Sequence, residues 1–338
     1  MKPLITICIP SYNRPNELVR LLNTIVHQIH NNEILIIEDN SPRRNEIKQN
    51  LNEFILNYPK CNINILYNKS NLGYDGNIRK LIEKATGKYC LFMGDDDILC
   101  DNAILRIENL LKDNTNIGVI LRSWEDVNNQ GKSISIQRYF SKDTFFQPGE
   151  SSVVAFFRKS IFISGLVINR KDALKQSTSD LDGKLLYQLY LIGNILLNKP
   201  GFYIYELITK RISGGEHFFG SAKAEQEVFE PSKLTIEHSF NFIKGIIDVI
   251  KYIDRKRKTN ISPKIITDLS KYSFGFLYVH RDKGVIKFLK YVKILMKLNL
   301  GKTFYFYFYV LFLLILGKKN SEKLISIIKK TRKNTPQL

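Results

Sequence analysis

The chain has 338 residues, 44% of them hydrophobic, enough apolar material to bury the core of one large domain or two smaller ones. Its four cysteines, Cys8, Cys61, Cys90 and Cys100, show no CxxC pairing. That argues against a disulfide framework or zinc site and for buried thiols in a reducing compartment. The formal net charge is +19 and it is unevenly spread: residues 231–338 hold 23 Lys and Arg against 6 Asp and Glu, an excess of +17, whereas residues 1–230 carry 28 against 26. Such asymmetry points to an anionic surface, nucleic acid or membrane, as the partner of the last third.

The opening residues, "MKPLITICIP", hold one Lys and a short apolar run with no small-residue cleavage site behind it. They read as a first strand rather than a signal peptide, and a cytoplasmic location is expected. Short apolar, β-rich runs recur at 4–9, 33–39, 63–68, 89–94 and 117–124, giving five predicted strands. Between them lie segments of helical period. Leu18, Leu21, Leu22, Ile25 and Ile29 follow i, i+3, i+4 spacing behind Pro15, and Ile47, Leu51, Phe54 and Ile55 repeat it, as do Ile78, Leu81, Ile82 and Ala85. Alternating strands and helices predict a mostly parallel, Rossmann-like sheet flanked by helices, with ligands at the carboxyl ends of its strands. Further on, "SIFISGLVIN" (160–169) reads as a strand pair or buried run. A helix follows near 182–198, then a strand at "FYIYELI" and a glycine-bearing, lid-like loop over 210–220. Beyond 231 the pattern is helical and basic. There "FYFYFYVLFLLIL" (304–316) forms 13 uncharged residues between Lys302 and Lys318–Lys319. As a helix it reaches about 20 Å, short of the ~30 Å hydrocarbon core, so it reads as an interfacial helix or a buried one.

The chemistry gathers at the predicted strand ends. After the first strand comes "PSYNRP" and after the second "EDNSP", whose Asp39 is suited to accept hydrogen bonds from a base or ribose. "NLGYDGNIRK" (71–80) offers a glycine-bearing turn into a helix N-terminus, suited to phosphate or ribose. Neither glycine sits in GxGxxG or GxxxxGK[ST], which disfavours a Rossmann dehydrogenase or Walker-type NTPase. After the fourth strand stand Asp95, Asp96 and Asp97. Adjacent carboxylates recruit Mg²⁺ or Mn²⁺, which in turn hold phosphate oxygens; the plain alternative is an acidic turn capping a helix from about Asp101.

In this order, "LITICIPSYNRPNELVRLLNTI", "ILIIEDNSP" and "NLGYDGNIRKLIEKATGKYCLFMGDDDIL" resemble the family 2 glycosyltransferases of GT-A fold. Within that family they are most similar to bacterial O-antigen and capsule enzymes such as abequosyltransferases. The resemblance covers roughly the first 220 residues. It implies a glycosyltransferase domain over 1–225, with a nucleotide-binding half (1–124) and an acceptor half with the lid (125–225); the helical, basic residues 226–338 beyond it read, from their charge and aromatic run, as a membrane-associating region. It further implies that Pro10, Ser11, Tyr12, Asn13 and Arg14, with Glu38 and Asp39, hold the nucleotide base and ribose. The stretch with Asn71, Gly73, Asp75, Asn77 and Arg79 then completes that pocket. The acidic cluster becomes the DXD-type motif for metal and diphosphate: Gly94 stands where the family's first Asp usually does, and Asp97 leads as metal ligand, with Asp95 and Asp96 beside it.

Inverting members take their base from an "ED"-like motif that would fall at Tyr187–Gln188, where no carboxylate stands. Asp182 and then Asp180, just upstream, are the candidates that remain, and Asp182 also suits a helix N-cap. In the lid, Arg211 and His217 are placed to meet the diphosphate or metal. The reading is a metal-dependent, inverting hexosyl- or deoxyhexosyltransferase, using Mn²⁺ or Mg²⁺, that moves a sugar from a nucleotide donor to a lipid-linked saccharide. It would lie peripheral to the inner face of the cell membrane, bound to anionic lipid through its C-terminal region and not to nucleic acid. A metal-dependent nucleotidyltransferase and a basic nucleic-acid-binding protein are the alternatives.

Overall fold

The computed structural model describes residues 2–226, 228–230 and 235–331. The chain divides into two compact units, Met1–Ser232 and Lys233–Leu338.

In the first unit the strands are β1 (Ile5–Ser11), β2 (Glu33–Glu38), β3 (Ile63–Tyr67), β4 (Tyr89–Phe92), β5 (Ile98–Leu99), β6 (Val119–Val127), β7 (Ser133–Gln137), β8 (Thr144–Phe146), β9 (Leu166–Asn169) and β10 (Gly201–Ile212). The helices are α1 (Pro15–Ile25), α2 (Arg44–Asn57), α3 (Gly73–Lys84), α4 (Ala103–Asp113), α5 (Glu150–Phe156), α6 (Arg170–Leu174), α7 (Tyr187–Leu196) and α8 (Lys223–Gln226). One sheet runs in the order β3-β2-β1-β4-β9-β6-β10-β5, with β7 added to β6 and β8 to β10. The first four strands are parallel, as the βα alternation requires. β9 then enters antiparallel to both β4 and β6, while β10 returns parallel to β6. The sheet is therefore mixed, with a reversed strand at its centre.

β1 is a β-branched run, and its Ile5, Ile7 and Ile9 are fully buried against Leu18, Leu21, Leu22 and Ile25 of α1. Each such side chain contributes ~1.5–3 kcal/mol by leaving water. Pro15 stands in the first turn of α1, where its missing N–H has no helical partner to lose. The stretch after β3 is not a free turn, because α3 already begins at Gly73. The helix expected from 182 begins instead at Tyr187. Gly183 (φ +82°) and Leu185 (φ +61°) hold left-handed backbone that a right-handed helix cannot include. Nor do the three aspartates cap a helix at 101, since β5 intervenes and α4 starts at Ala103.

The second unit is helical: α9 (Ile236–Arg257), α10 (Ser262–Lys271), α11 (Phe274–Tyr278), α12 (Val285–Lys297) and α13 (Phe304–Thr331). Thr235 caps α9 by accepting the His238 N–H, and Asp254 near its end accepts the N–H groups of Ile261 and Ser262, which start α10. Among the described residues no helix is long and apolar enough to cross a membrane.

Candidate active site

The carboxyl ends of β1, β2 and β4 are held level by their register: Ser11 lies beside Glu38, and Cys8 beside Phe92. Past the last β1–β4 pair, Asn13 takes a left-handed conformation (φ +60°), which asparagine tolerates, and the chain turns into α1. That turn brings Tyr12 and Arg14 onto the acidic cluster. The Tyr12 N–H donates to one Asp95 oxygen at 3.0 Å, and Arg14 donates to the other at 2.8 Å. The same guanidinium lies 3.0 Å from Asp96. Ser11 Oγ and Asn13 Oδ1 are buried in this turn without a partner, so polar capacity is left over for a ligand.

Gly94 to Asp97 form a tight turn, closed by the Asp97 N–H donating to the Gly94 carbonyl. Ser164, just ahead of β9, accepts the Gly94 N–H and donates to Asp97. A Cβ at Gly94 would lie 3.1 Å from an Asp97 oxygen and 3.2 Å from both Asp96 and Ser164 oxygens. An aspartate there would crowd the three that follow, which accounts for the glycine. Asp95 and Asp97 are buried. Burial raises the Asp95 carboxyl to about 6 against the pull of Arg14; burial and then the Asp96 charge raise Asp97 to about 7. A second guanidinium, Arg122 on β6, is fully buried behind this region and lowered to about 10 by desolvation.

Among the described residues no three His, Cys, Asp or Glu side chains are gathered to hold a metal by themselves. The chemistry of the set nonetheless suits a hard divalent cation that takes part of its shell from phosphate. These are carboxylate oxygens at a strand end whose mutual charge is only partly met by Arg14.

Asp39 is buried and accepts the N–H groups of Leu72 and Gly73, both at 2.9 Å, and the Asn68 amide at 2.6 Å. Its pKa is raised by burial, with these donors pulling the other way. The next N–H in line, from Tyr74, goes to Glu225 of α8 at 2.7 Å, and the other Glu225 oxygen accepts the Gly220 N–H at 2.8 Å. Two carboxylates from distant segments thus satisfy the start of α3. Asn71 accepts the Gly73 N–H as well, and Asn77 donates to the Ile37 carbonyl, fixing α3 to β2. Glu38 is turned into its own loop, accepting the N–H groups of Asn40 and Ser41 and pairing with Arg44.

Asp75 serves a different helix. It is buried and accepts the N–H groups of Leu185, Leu186 and Tyr187 at 2.8–2.9 Å, so it caps α7 from another helix. Arg79 pairs through two hydrogen bonds with Asp182, in the loop ahead of α7, and also donates to the Thr178 carbonyl. Asp182 is therefore an ion-pair partner and not the N-cap. Of Tyr187 and Gln188, where the base motif would fall, neither is a carboxylate; Gln188 is buried, donates to the Ile161 carbonyl and accepts from the Tyr74 hydroxyl.

The loop after β10 lies across the acidic cluster. Arg14 donates to the Glu216 carbonyl and its guanidinium lies 5.1 Å from the Phe218 ring centroid, while Tyr12 meets the same ring edge-on. A Cβ at Gly215 would stand 3.7 Å from an Asp96 oxygen. His217 is exposed and stacks parallel to Phe219. Arg211 pairs with Asp126 at 2.6 Å and lies over the Trp124 ring; its charge also lowers the Asp97 carboxyl's pKa. Of the candidate residues, the structure thus joins Tyr12, Arg14 and Asp95–Asp97 directly and ties Asp39 to α3. It turns Glu38, Asp75 and Arg211 to other partners. Ser164 and Glu225 carry no local sequence signal, because each acts across a long chain separation.

A strand-end site on a mixed α/β sheet is a ligand-binding position of this class of fold. The model of Glycosyl transferase family 2 matches residues 6–180, over half of the 338, and the chain belongs to that family. The family is one of glycosyltransferases, and the chain has the GT-A fold. It is similar to abequosyltransferase RfbV of Salmonella typhimurium, with 32% identity over 117 residues, 34% of each chain. It is also similar to the UDP-Glc:alpha-D-GlcNAc-diphosphoundecaprenol beta-1,3-glucosyltransferase WfgD of Escherichia coli, with 26% identity over 140 residues, 40% of this chain and 52% of that one. The match spans a third to a half of these relatives' length. Among solved structures, mannosyltransferase PcManGT from Pyrobaculum calidifontis, in complex with GDP-Man and Mn²⁺, shares the fold with a TM-score of 0.51 over 98% of this chain and 88% of that one, at 10% identity.

Proposed function

We propose that this glycosyltransferase is metal-dependent and inverting, and that it moves a sugar from a nucleotide donor to a lipid-linked saccharide in the synthesis of a bacterial surface polysaccharide. The observation that carries the donor side is the convergence of Tyr12 and Arg14 on Asp95 and Asp96, with the lid carbonyl of Glu216 accepting from the same Arg14 guanidinium. A diphosphate laid there meets the Arg14 charge and is covered by residues 213–220, which exclude water from the reacting bond. Asp97, with Asp95 or Asp96, would hold Mn²⁺ or Mg²⁺, which supplies charge stabilisation to the leaving diphosphate. The pocket built on Asp39 and the start of α3 receives the nucleoside. Asp182, kept oriented by Arg79, accepts the acceptor hydroxyl's proton as the glycosidic bond forms and the nucleoside diphosphate departs. The lipid-linked acceptor rests on the similarity to WfgD, whose name specifies a diphosphoundecaprenol-linked acceptor, and on the basic second unit, which we place against an anionic membrane.

The purified chain, incubated with Mn²⁺ and a panel of nucleotide-sugars, is expected to release nucleotide slowly from one donor. Chelator or Asp97→Ala abolishes the release. Donor turnover indifferent to both would remove the metal from the reading.

A further inference from the structure

Helix α13 is apolar on two opposite faces. Phe306, Tyr309 and Leu313 are buried within the second unit, Tyr309 at 7% exposure. At about 100° per residue, Phe304, Tyr307, Phe308, Leu311 and Ile315 fall within one arc on the far side. They are exposed by 77, 48, 48, 57 and 72%. A helix at an aqueous surface carries one apolar stripe and a polar back, so a second stripe this wide marks an interaction surface.

Helix α12 shows what kind. Its inner face is Phe288, Tyr291, Val292 and Leu295, all buried. Its outer face interleaves Ile286, Leu289 and Met296 with Lys290, Lys293 and Lys297. These three lysines are exposed and make no ion pair among the described residues. The two outer faces adjoin at Gly301, where an added Cβ would lie 2.9 Å from the Tyr307 hydroxyl and 3.3 Å from Met296. The apolar run ends at Gly317, which breaks the helical backbone (φ +67°), followed by Lys318 and Lys319.

We infer that the joined outer faces of α12 and α13 form one membrane-contact surface that lies in the interface of an anionic bilayer, with the α13 aromatic stripe immersed and Lys290, Lys293 and Lys297 at the headgroups. This deepens the membrane attachment proposed above and rests on it. Thirteen uncharged residues reach about 20 Å, too short to span and well suited to lie flat. Aromatic rings and lysine stems both place an apolar body beside a wet polar end, which is the chemistry of the headgroup boundary. A second copy of the chain is the less favourable occupant, because it would bring the same unpaired lysines together.

The test is co-flotation of the full chain with vesicles of phosphatidylcholine alone or mixed with phosphatidylglycerol. Binding is expected to the mixed vesicles and to weaken with salt. The triple change Lys290→Glu, Lys293→Glu and Lys297→Glu should weaken it about a hundredfold or more. Phe304→Ser with Phe308→Ser and Leu311→Ser should abolish it, while circular dichroism remains that of the folded chain. Unchanged flotation of both variants overturns the inference. So does a wild-type chain that ignores the vesicles, or one that is dimeric until the serine changes make it monomeric. Nucleotide release from a soluble donor, measured without vesicles, keeps the readings apart: its failure strikes the transferase chemistry, failed flotation of the wild type strikes the membrane attachment and this surface together, and flotation kept by both variants strikes this surface alone.

Discussion

The Asp75 carboxylate of α3 accepts the N–H of Tyr187, the first residue of α7, at 2.9 Å, and takes the two preceding N–H groups as well. A helix that is buried along its whole length is thereby started by a side chain more than a hundred residues away. Asp75→Ala leaves three buried donors unmet and should cost about 1–3 kcal/mol in urea denaturation. The same group sets a pH dependence. Burial raises its folded pKa to about 7 from an ordinary 3.8, so the native chain holds the proton more tightly than the unfolded one. Its contribution is full below about pH 4 and is lost as pH rises through about 7. The unfolding midpoint of the wild type should therefore fall more steeply over that window than that of Asp75→Asn.

Glu225 links the start of α3 to the end of the lid. Glu225→Ala should raise the donor KM about tenfold with a smaller change in kcat, and protease should cut the chain faster within 213–220. Gly73→Ala tests the same joint from the other side. Its Cβ would lie 2.7 Å from Glu225 Oε1 at a φ of +75°, and it should reproduce both effects.

Gly94 leaves room for three carboxylates and Ser164 to share one turn. Gly94→Ala should displace Asp97 or Ser164 by a few tenths of an ångström and lower turnover about tenfold or more, because such sites are sensitive to small misplacements. Metal titration of the activity should shift to higher concentration in the same variant. An unchanged titration means that Asp97 has not moved.

Asp182 and Arg79 form one ion pair, so their substitutions separate two roles. As the base, Asp182→Asn lowers turnover about a hundredfold or more, while Arg79→Met, which leaves the carboxylate in place, lowers it less. Equal, modest losses in the two variants would assign the pair to holding the loop ahead of α7.

The strands up to β4, together with β6, were legible in the sequence because each is a short apolar run between turn residues, and period alone finds such runs. The strand ends that carry Tyr12, Arg14, Asp39 and Asp95–Asp97 followed from that alternation. Strand direction is a different matter. "SIFISGLVIN" announces burial, yet nothing local says that β9 runs against β4 and β6, since direction is set by pairing across the sheet. β5, β7 and β8 are two to five residues long and carry too little pattern to be read. The helix start expected at 182 failed through Gly183 and Leu185. The cap it lacked came from Asp75, whose own surroundings suggested a ligand pocket. Glu225 sits in a short polar helix that reads as surface, and only the fold shows it buried.

The reversal of β9 has a consequence for how this site is open to change. The parallel strands deliver their site residues as the chain leaves the sheet, but β9 delivers Ser164 as the chain arrives. Ser164 ties that returning segment to the acidic cluster through its bonds with Gly94 and Asp97. Buried Val153, Phe156 and Phe157 anchor the residues before it in the core, so the freedom to change length lies in exposed turns such as that at Gly131.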